Sequence, residues 1–251
     1  MRSQRIEKME AYILERRTVT LDELCEEFQV SKNTVRRDLE VLLENRRFKK
    51  IYGGVTVEDY KELISFGERN IARLEEKQRI AETAAALVED GDVIFLDSGT
   101  TTLHMVEFLA ARTGVTIVTN NVDALLRAIP MENLTVIALS GTLNRKTLSL
   151  TGPSSVQALQ QYNIRKAFMA TTGYSLASGV TNSSPLESDI KRTAVERSQQ
   201  VFLLADSAKY GSAALTTYCR LEQIHGLVTD APPPPEAMAF LEEHQIRLIL
   251  A

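Results

Sequence analysis

Residues 20–39 read TLDELCEEFQVSKNTVRRDL and decide the fold of the first part of the chain. Thr20 and Glu23 have the spacing of a capping box, in which the hydroxyl and the carboxylate each bond a backbone amide at the start of a helix. The apolar residues that follow are spaced as the buried face of that helix. Ser31 is a second N-cap and begins a helix that extends to about Leu43. Two short helices joined by a tight turn indicate a helix-turn-helix.

The second helix of this motif has a polar face with the chemistry of base recognition. In a helix-turn-helix this face enters the major groove. There arginine can donate two hydrogen bonds to guanine, and asparagine can form two hydrogen bonds with adenine. The lysine at the start of the helix is better placed for a phosphate. The predicted residues of this face are Lys32, Asn33, Thr34, Arg36 and Arg37. The alternative is an ordinary solvated helix face.

A helix over residues 2–16 precedes the motif, and a basic hairpin that resembles a wing follows it. Residues 31–50 hold seven basic and three acidic side chains, which suits a surface that faces nucleic acid. Gly53-Gly54 permits a turn closed to other residues. Cations of the wing would lie against the phosphate backbone, adding affinity but little sequence preference. These predicted phosphate contacts are Arg46, Arg47, Lys49 and Lys50.

The composition bounds the class of protein. The chain has 251 residues, of which 44% are hydrophobic and 25% charged, as in globular proteins of one or two domains. No apolar run approaches the roughly 18 residues that a membrane-spanning helix needs. The charged start, Met1–Lys8, is unlike a signal peptide, so we expect a soluble cytoplasmic protein. Cys25, Cys219 and the three histidines are isolated in sequence, which predicts no disulfide, no metal site and no cofactor.

In the second part of the chain an apolar run, Val93–Leu96, leads directly into Asp97-Ser98-Gly99-Thr100-Thr101-Thr102 and then into an amphipathic helix. A strand, a hydroxyl-rich loop and a helix start form an anion site, because hydroxyls, backbone amides and the positive end of the helix dipole favour negative charge. The loop glycine lets the backbone approach an oxyanion. The alternative is that the hydroxyl residues only cap the helix.

Strands and helices alternate through the rest of the chain. Strands are predicted near residues 93–96, 115–121, 134–141, 166–171, 200–205, 224–229 and 246–250, and helices near 77–88, 122–128, 154–162, 186–198 and 236–244. This order favours an α/β fold with a mainly parallel sheet covered by helices. Ligands on such sheets bind outside the carboxyl ends of the strands. Asp97–Thr102, Thr119-Asn120, Ser140-Gly141 and Asp206 all fall at such ends and can line one crevice.

Both parts of the chain resemble the DeoR family of bacterial sugar-catabolism repressors. The first part matches through Thr20–Leu24, Val30–Leu39 and Tyr52–Val55, although Asn45-Arg46 stands where the family usually has a glycine. The second part matches through Glu76-Lys77, Asp97–Thr102, Thr119-Asn120, Glu187 with Lys191-Arg192, and Leu204–Gly211. The resemblance implies an N-terminal winged helix-turn-helix domain (1–56), a linker (57–75) and a C-terminal α/β sensor domain (76–251) similar in fold to ribose-5-phosphate isomerase.

By that resemblance the hydroxyl-rich loop holds the phosphate of a sugar phosphate, and polar residues from other elements surround the sugar. Arg145 and Lys146 follow a strand end that carries Gly141, and they are candidate anion contacts or simply surface charges. Glu187 and Lys191 can instead be a plain i,i+4 helix pair. The predicted ligand-binding residues are Asp97, Ser98, Gly99, Thr100, Thr101, Thr102, Asn120, Gly141, Arg145, Lys146, Glu187, Lys191 and Lys209.

The resemblance implies a DNA-binding repressor that leaves its operator when the sensor domain captures a phosphorylated, sugar-derived metabolite. Within the family the likeness is greatest to the branch that governs inositol catabolism, through Asn144–Thr147, Lys166–Met169 and Gly179–Ser183 among others. This likeness implies an effector derived from inositol. Two-fold symmetric operators pair with dimeric proteins, so we expect a homodimer or a homotetramer.

Two other functions stay open. One is a sugar-phosphate isomerase with an accessory DNA-binding head. An isomerase needs a carboxylate base near the carbonyl, and the segment Ala170–Ser175, where the isomerases carry acids, has none. Glu187 is the one obvious candidate left, so we predict binding without turnover and no enzymatic activity. The other makes the head a protein-docking module, for which no salt-dependent binding to DNA is expected.

Overall fold

The computed structural model describes residues 2–16, 18–43, 48–51, 53–57 and 65–251. The chain divides into two compact units, Met1–Glu62 and Leu63–Ala251. Among the described helices, none combines the length and the apolar character that crossing a bilayer requires.

In its described residues the first unit has three helices and a three-stranded antiparallel sheet. Its elements are α1 (Arg2–Arg16), β1 (Thr18–Thr20), α2 (Leu21–Phe28), α3 (Lys32–Leu43), β2 (Phe48–Ile51) and β3 (Gly54–Val57). The strand order is β1-β3-β2, and the β2–β3 hairpin is the wing. Met9, Ile13, Leu24 and Val35 are fully buried in its core. Burial of side chains of this size stabilises a fold by roughly 1.5–3 kcal/mol each.

The capping box predicted at the start of α2 is present. Thr20 Oγ1 accepts from the Glu23 amide at 3.2 Å, and the Glu23 carboxylate accepts from the Thr20 amide at 2.7 Å. Gln29, in the left-handed conformation, ends α2 and turns the chain toward α3. Gly54 lies against β1, since a Cβ at this position would be 2.3 Å from the Val19 carbonyl oxygen. The wing can therefore pack this closely on β1 because residue 54 is glycine.

The second unit is an α/β fold built on a seven-stranded sheet. Its helices are α4 (Phe66–Ile71), α5 (Leu74–Ala85), α6 (Thr100–Leu103), α7 (Met105–Phe108), α8 (Val122–Ala128), α9 (Pro153–Leu159), α10 (Pro185–Arg197) and α11 (Pro235–Glu243). Its strands are β4 (Val93–Leu96), β5 (Thr116–Thr119), β6 (Thr135–Ala138), β7 (Thr142–Asn144), β8 (Ser149–Thr151), β9 (Ile164–Ala170), β10 (Gly173–Ser175), β11 (Gly179–Asn182), β12 (Ser198–Leu204), β13 (Thr216–Cys219), β14 (Gly226–Thr229) and β15 (Arg247–Leu250). Single turns of 3-10 helix lie at Leu109–Ala111, Ser207–Lys209 and Leu221–Gln223.

The seven-stranded sheet is parallel throughout, with the order β15-β14-β12-β9-β4-β5-β6. Phe95 packs into one apolar cluster while Ile94 and Leu96 pack into another, as expected for a strand covered on both faces. After β6 the chain crosses to the other side of β4 and forms β9, so the strand order reverses between β4 and β9. The predicted α/β fold is confirmed, and ligands on such sheets bind at the carboxyl ends of the strands at this reversal.

One helix and two small antiparallel sheets depart from the predicted pattern. β7 pairs with β8, and β10, β11 and β13 form a separate three-stranded sheet. Residues 65–75, predicted as part of a linker, form α4 and the start of α5 and belong to the second unit. α4 begins with a capping box between Ser65 and Glu68, and Phe66 is its buried anchor. One buried side chain in six residues gives too little periodicity to predict this helix.

Candidate functional site

The predicted DNA-reading residues lie together on the outer face of α3. Lys32, Asn33, Arg36 and Arg37 are exposed, and Thr34 is half-buried. The opposite face of α3 is buried in the core of the first unit. Packing of the apolar face therefore orients these five side chains toward solvent, where a DNA groove can receive them.

An ion pair with a buried carboxylate fixes α3 against α1. Arg5 Nε donates to Asp38 Oδ2 at 2.7 Å, and Asp38 is only 1% exposed. A buried carboxylate is costly without its cationic partner, so this pair resists movement of the recognition helix over α1. The sequence signal for this role is an aspartate on the apolar face of a predicted helix.

A cleft of about 340 Å³ lies between α3 and the wing and is lined by Arg36 and Lys50. Lys50 is exposed on β2. Lys32 forms an exposed ion pair with Asp22 at 2.5 Å; exposed pairs are weak, so a DNA phosphate can replace this carboxylate. Two further predicted phosphate contacts, Arg46 and Arg47, lie outside the described residues, and Lys49 is described only through its backbone.

In the second unit, a buried ion pair lies where the strand order reverses. Lys191 Nζ of α10 contacts Asp97 Oδ2 at the end of β4, and both side chains are almost fully buried. Asp97 Oδ2 also accepts from the Ala170 amide at 2.9 Å, while Lys191 donates to the Ala170 carbonyl at 3.0 Å. The Tyr218 ring lies 5.2 Å from the ammonium, and its hydroxyl donates to the same carbonyl. The pair thus joins the ends of β4 and β9.

Glu187 lies one turn before Lys191 on α10 but has different partners. Its Oε1 accepts from the Ser149 hydroxyl at 2.8 Å, and its Oε2 accepts from the Asn182 side-chain amide at 3.2 Å. The plain i,i+4 pair that the sequence left open is therefore not the arrangement in the structure. Ser149 and Asn182 were not predicted, because no local pattern relates a hairpin or a strand end to α10.

The hydroxyl-rich segment Asp97–Thr102 follows β4, leads into α6 and lies against the end of β9. Thr102 Oγ1 donates to the carbonyl oxygens of Asp97 at 2.7 Å and Gly99 at 2.9 Å, so its hydroxyl holds the loop together. Thr100 and Thr101 are each 6% exposed, and their hydroxyls bond no other residue in the described part of the chain. These two hydroxyls are therefore available for further hydrogen bonds. We use the term sensor site for this loop with Asn120, Glu187 and Lys191.

Gly99 is held against β9. A Cβ at this position would lie 2.1 Å from the Ala170 Cβ. The sequence assigned this glycine to the approach of an oxyanion, whereas the structure shows that its bare Cα is needed for contact between the loop and the strand end.

We expect Gly99→Ala to lower the free energy of unfolding by about 1–3 kcal/mol, because the added methyl must displace the loop or β9. Gly67→Ala is the matched control, since nothing lies within 4 Å of a Cβ at this position in α4. There the change should be neutral or slightly favourable, because alanine is the better helix former. Urea denaturation followed by circular dichroism measures both variants, and equal stabilities would contradict this role of Gly99.

Two buried oxygens of the sensor site have no donor among the described residues. They are Asp97 Oδ1 and Asn120 Oδ1. The Asn120 amide is oriented by its Nδ2, which donates to the Leu150 carbonyl at 3.1 Å. β4 and β5 are neighbouring strands, so both oxygens lie at adjacent strand ends. Buried acceptors are normally satisfied by water or a ligand, which favours a ligand with hydroxyl groups.

Positive charge gathers around Lys77 of α5, which is 5% exposed. Its ammonium donates to the carbonyl oxygens of Arg69 and Ala72 at the end of α4. Burial, together with the nearby charge of Lys209, lowers the pKa of Lys77 to about 8, and Arg73 adds to the lowering. A cluster of this sign favours an anion. In the sequence, Lys77 is notable only as part of the family resemblance, because its burial cannot be seen in the local pattern.

Arg73 anchors the start of α5 to the strand ends. Its guanidinium lies 2.9 Å from Asp230 Oδ2 and 3.5 Å from Asp206 Oδ1. Asp206, predicted to line the crevice, is thus paired with a cation inside the protein. Burial raises the pKa of Asp230, but hydrogen bonds from Ser207 and the charge of Arg73 outweigh it, and the pKa lies below its ordinary value.

The remaining predicted ligand residues lie on or beside the β7–β8 hairpin. A Cβ at Gly141 would be 2.4 Å from the Ser155 hydroxyl, so this glycine packs against the start of α9. Arg145 and Lys146 form the exposed turn between β7 and β8. The Lys146 carbonyl accepts from the Phe66 amide at 2.8 Å, which joins the hairpin to α4.

Together the two units define a class of protein. The first presents a basic recognition helix and wing, and the second has a polar, partly unsatisfied site at the strand-order reversal of an α/β sheet. This combination defines a ligand-responsive DNA-binding regulator.

The chain belongs to the DeoR family. Residues 5–61 match the DeoR-like helix-turn-helix domain, and residues 72–231 match the DeoR C terminal sensor domain. It is 43% identical over 251 residues to the HTH-type transcriptional regulator IolR of Bacillus subtilis (strain 168), covering 100% of both chains. It is 28% identical to the glycerol-3-phosphate regulon repressor of Escherichia coli (strain K12), over 92% of each chain. The predicted family membership is confirmed.

Among solved structures, the chain is similar to ribose 5-phosphate isomerase A of Methanocaldococcus jannaschii. The identity is 17%, the TM-score is 0.41, and the similarity covers 55% of each chain.

Proposed function

We propose that this DeoR-family repressor binds its operator through α3 and the wing and leaves it when a phosphorylated polyhydroxy metabolite occupies the sensor site. The observation that carries the proposal is the set of unsatisfied groups at that site. The free Thr100 and Thr101 hydroxyls suit a phosphate, and the Asp97 and Asn120 oxygens suit sugar hydroxyls. Release requires the metabolite to favour the conformation that does not bind DNA, because equal affinity for both conformations shifts nothing.

We propose binding without turnover. The two carboxylates of the sensor site are engaged within the protein, since Asp97 pairs with Lys191 and Glu187 accepts from Ser149 and Asn182. A general base must lie within hydrogen-bond reach of the proton that it removes, and both oxygens of Glu187 are already bonded to side chains of the protein. An isomerisation assay with ribose 5-phosphate and glucose 6-phosphate should detect no product. Turnover in that assay would support the isomerase alternative instead.

We propose that the effector is derived from inositol and that the protein acts as a homodimer or homotetramer. The full-length similarity to IolR and the family-branch resemblance support the first point. The symmetry of operators supports the second. A thermal-shift screen compares phosphorylated inositol derivatives with common sugar phosphates, because a ligand that binds only the folded state raises the melting temperature. A larger shift from the common sugar phosphates would contradict the assignment to inositol.

We expect Thr100→Val to lose the response to the metabolite found in that screen, because valine keeps the shape of the side chain but removes the hydroxyl. Fluorescence anisotropy of a labelled operator duplex, titrated with the metabolite, measures the response. Thr135→Val, at an exposed position of β6, is the matched control and should respond as the natural protein does. If Thr100→Val releases the operator at the same metabolite concentration as the natural protein does, the loop is not part of the effector site.

A further inference from the structure

Lys77 fastens the helix that follows the DNA-binding unit along the chain. Its ammonium donates to the carbonyls of Arg69 and Ala72, and Ala72 is the residue that ends α4. The last carbonyls of a helix have no partner within the helix, so a cation placed there caps it. α4 is short, and it is also held by the buried Phe66 side chain, by the bond from the Phe66 amide to the β7–β8 turn and by packing on α6. The cap from Lys77 is therefore one of the contacts that hold the end of α4.

Lys77 also belongs to a helix that packs beside the sensor site. α5, which carries it, packs on α6, the helix that the hydroxyl-rich loop begins. The charge of Lys77 reaches His104 at the end of α6. Lys209, a predicted ligand residue, lies near enough to Lys77 to repel its charge. α4, whose end Lys77 caps, also packs on α6, so Lys77 joins two helices that both contact the element begun by the loop.

The ammonium of lysine has three donors, and two of them are used on α4 carbonyls. The third donor is available to an anion. With a pKa of about 8, a fraction of Lys77 is uncharged near neutral pH, and a nearby anion stabilises the charged form. The anion and the carbonyls of α4 do not compete for Lys77. Both stabilise the charged form of the Lys77 ammonium.

We propose that Lys77 couples the sensor site to α4, so that an anion bound in the site strengthens the Lys77 cap and fastens α4 to the sensor unit. The coupling rests on the proposed effector site. α4 is the first described element after the DNA-binding unit. A change in its stability therefore affects the segment of chain that leads from the DNA-binding unit to the effector site. Lys77 is a positioning residue in this account, since it acts through α4.

Hydrogen exchange of the full chain tests the coupling, with inorganic phosphate as the probe and chloride at equal ionic strength as the reference. Two peptides are followed, one spanning α4 and the start of α5 (66–76) and one spanning the loop (98–104). In the natural protein, saturating phosphate should slow exchange in both, by about tenfold at the end of α4, as expected for one strengthened charged hydrogen bond. In Lys77→Met only the loop should respond.

Arg79→Met is the matched control, since it removes an exposed cation of the same helix that bonds no carbonyl of α4 in the described residues. At saturating phosphate its α4 response should persist. If the methionine variant at position 77 does not fold, Lys77→Gln serves, because it keeps a donor without the charge and should show no phosphate response in α4.

The outcomes separate the coupling from the site. Protection of the loop without protection of α4 in the natural protein overturns the coupling and leaves the proposed site standing. An α4 response that survives in Lys77→Met or Lys77→Gln overturns the role of Lys77. Absence of protection in both peptides overturns the proposed site and the coupling together.

Discussion

Replacing Lys191 by methionine is expected to lower the free energy of unfolding of the sensor unit by about 3–5 kcal/mol, the cost of leaving a buried charge without its partner. Asp97 is 1% exposed and Lys191 is 3% exposed, so water cannot take the place of the lost ammonium. The change also removes the donor to the Ala170 carbonyl. Urea denaturation followed by circular dichroism measures the effect.

Arg192→Met is the matched control on the same helix. Arg192 pairs with Asp189 at 3.1 Å, but about half of its side chain is exposed, so its loss should change stability little. Adding Asp97→Asn to Lys191→Met should restore part of the stability, because asparagine removes the buried charge and keeps an acceptor for the Ala170 amide. If the double variant is no more stable than Lys191→Met, the ion pair is not the source of the effect.

The second large effect is expected in DNA recognition. Arg37→Ala should reduce discrimination at one base pair of the operator by about 1–3 kcal/mol, the range for loss of a bidentate arginine contact. Lys50→Ala should weaken binding to all duplexes alike and reduce the salt dependence by about one counterion. Both side chains are exposed, so neither change disturbs the core.

The comparison uses an operator duplex obtained by selection from a random library, together with its single-base variants. Titrations at several salt concentrations separate the two roles. If both substitutions weaken every duplex equally, the division between base reader and phosphate contact is wrong.

Local features of the fold could be predicted from the sequence, and long-range partners could not. The Thr20–Glu23 capping box and the polar face of α3 depend on residues three or four apart, so their pattern is visible in the chain. The partner of Lys191 is Asp97, which is 94 residues away in the chain. The sequence shows only the local alternative, a pair with Glu187 on the same helix. The contact appears only once β4, β9 and α10 have assembled.

The same reason explains the other differences. α4 has one buried anchor, Phe66, and the strands of the β10-β11-β13 sheet have only three or four residues, which is too short for a clear alternation. The burial of Lys77 depends on α4, which the sequence did not reveal. By contrast the loop Asp97–Thr102 was placed at a strand end correctly, because an apolar run followed by glycine and hydroxyl residues is a local signal.

In the proposed function, occupation of the sensor site by a phosphorylated metabolite controls operator binding by the first unit. The most direct measurement is the anisotropy of a labelled operator duplex bound by the full-length protein, titrated with phosphorylated inositol derivatives. We expect tight, salt-dependent binding that at least one of these compounds reverses while its unphosphorylated form does not. Binding that is unchanged by every phosphorylated compound, or reversed equally by the unphosphorylated form, would contradict the account.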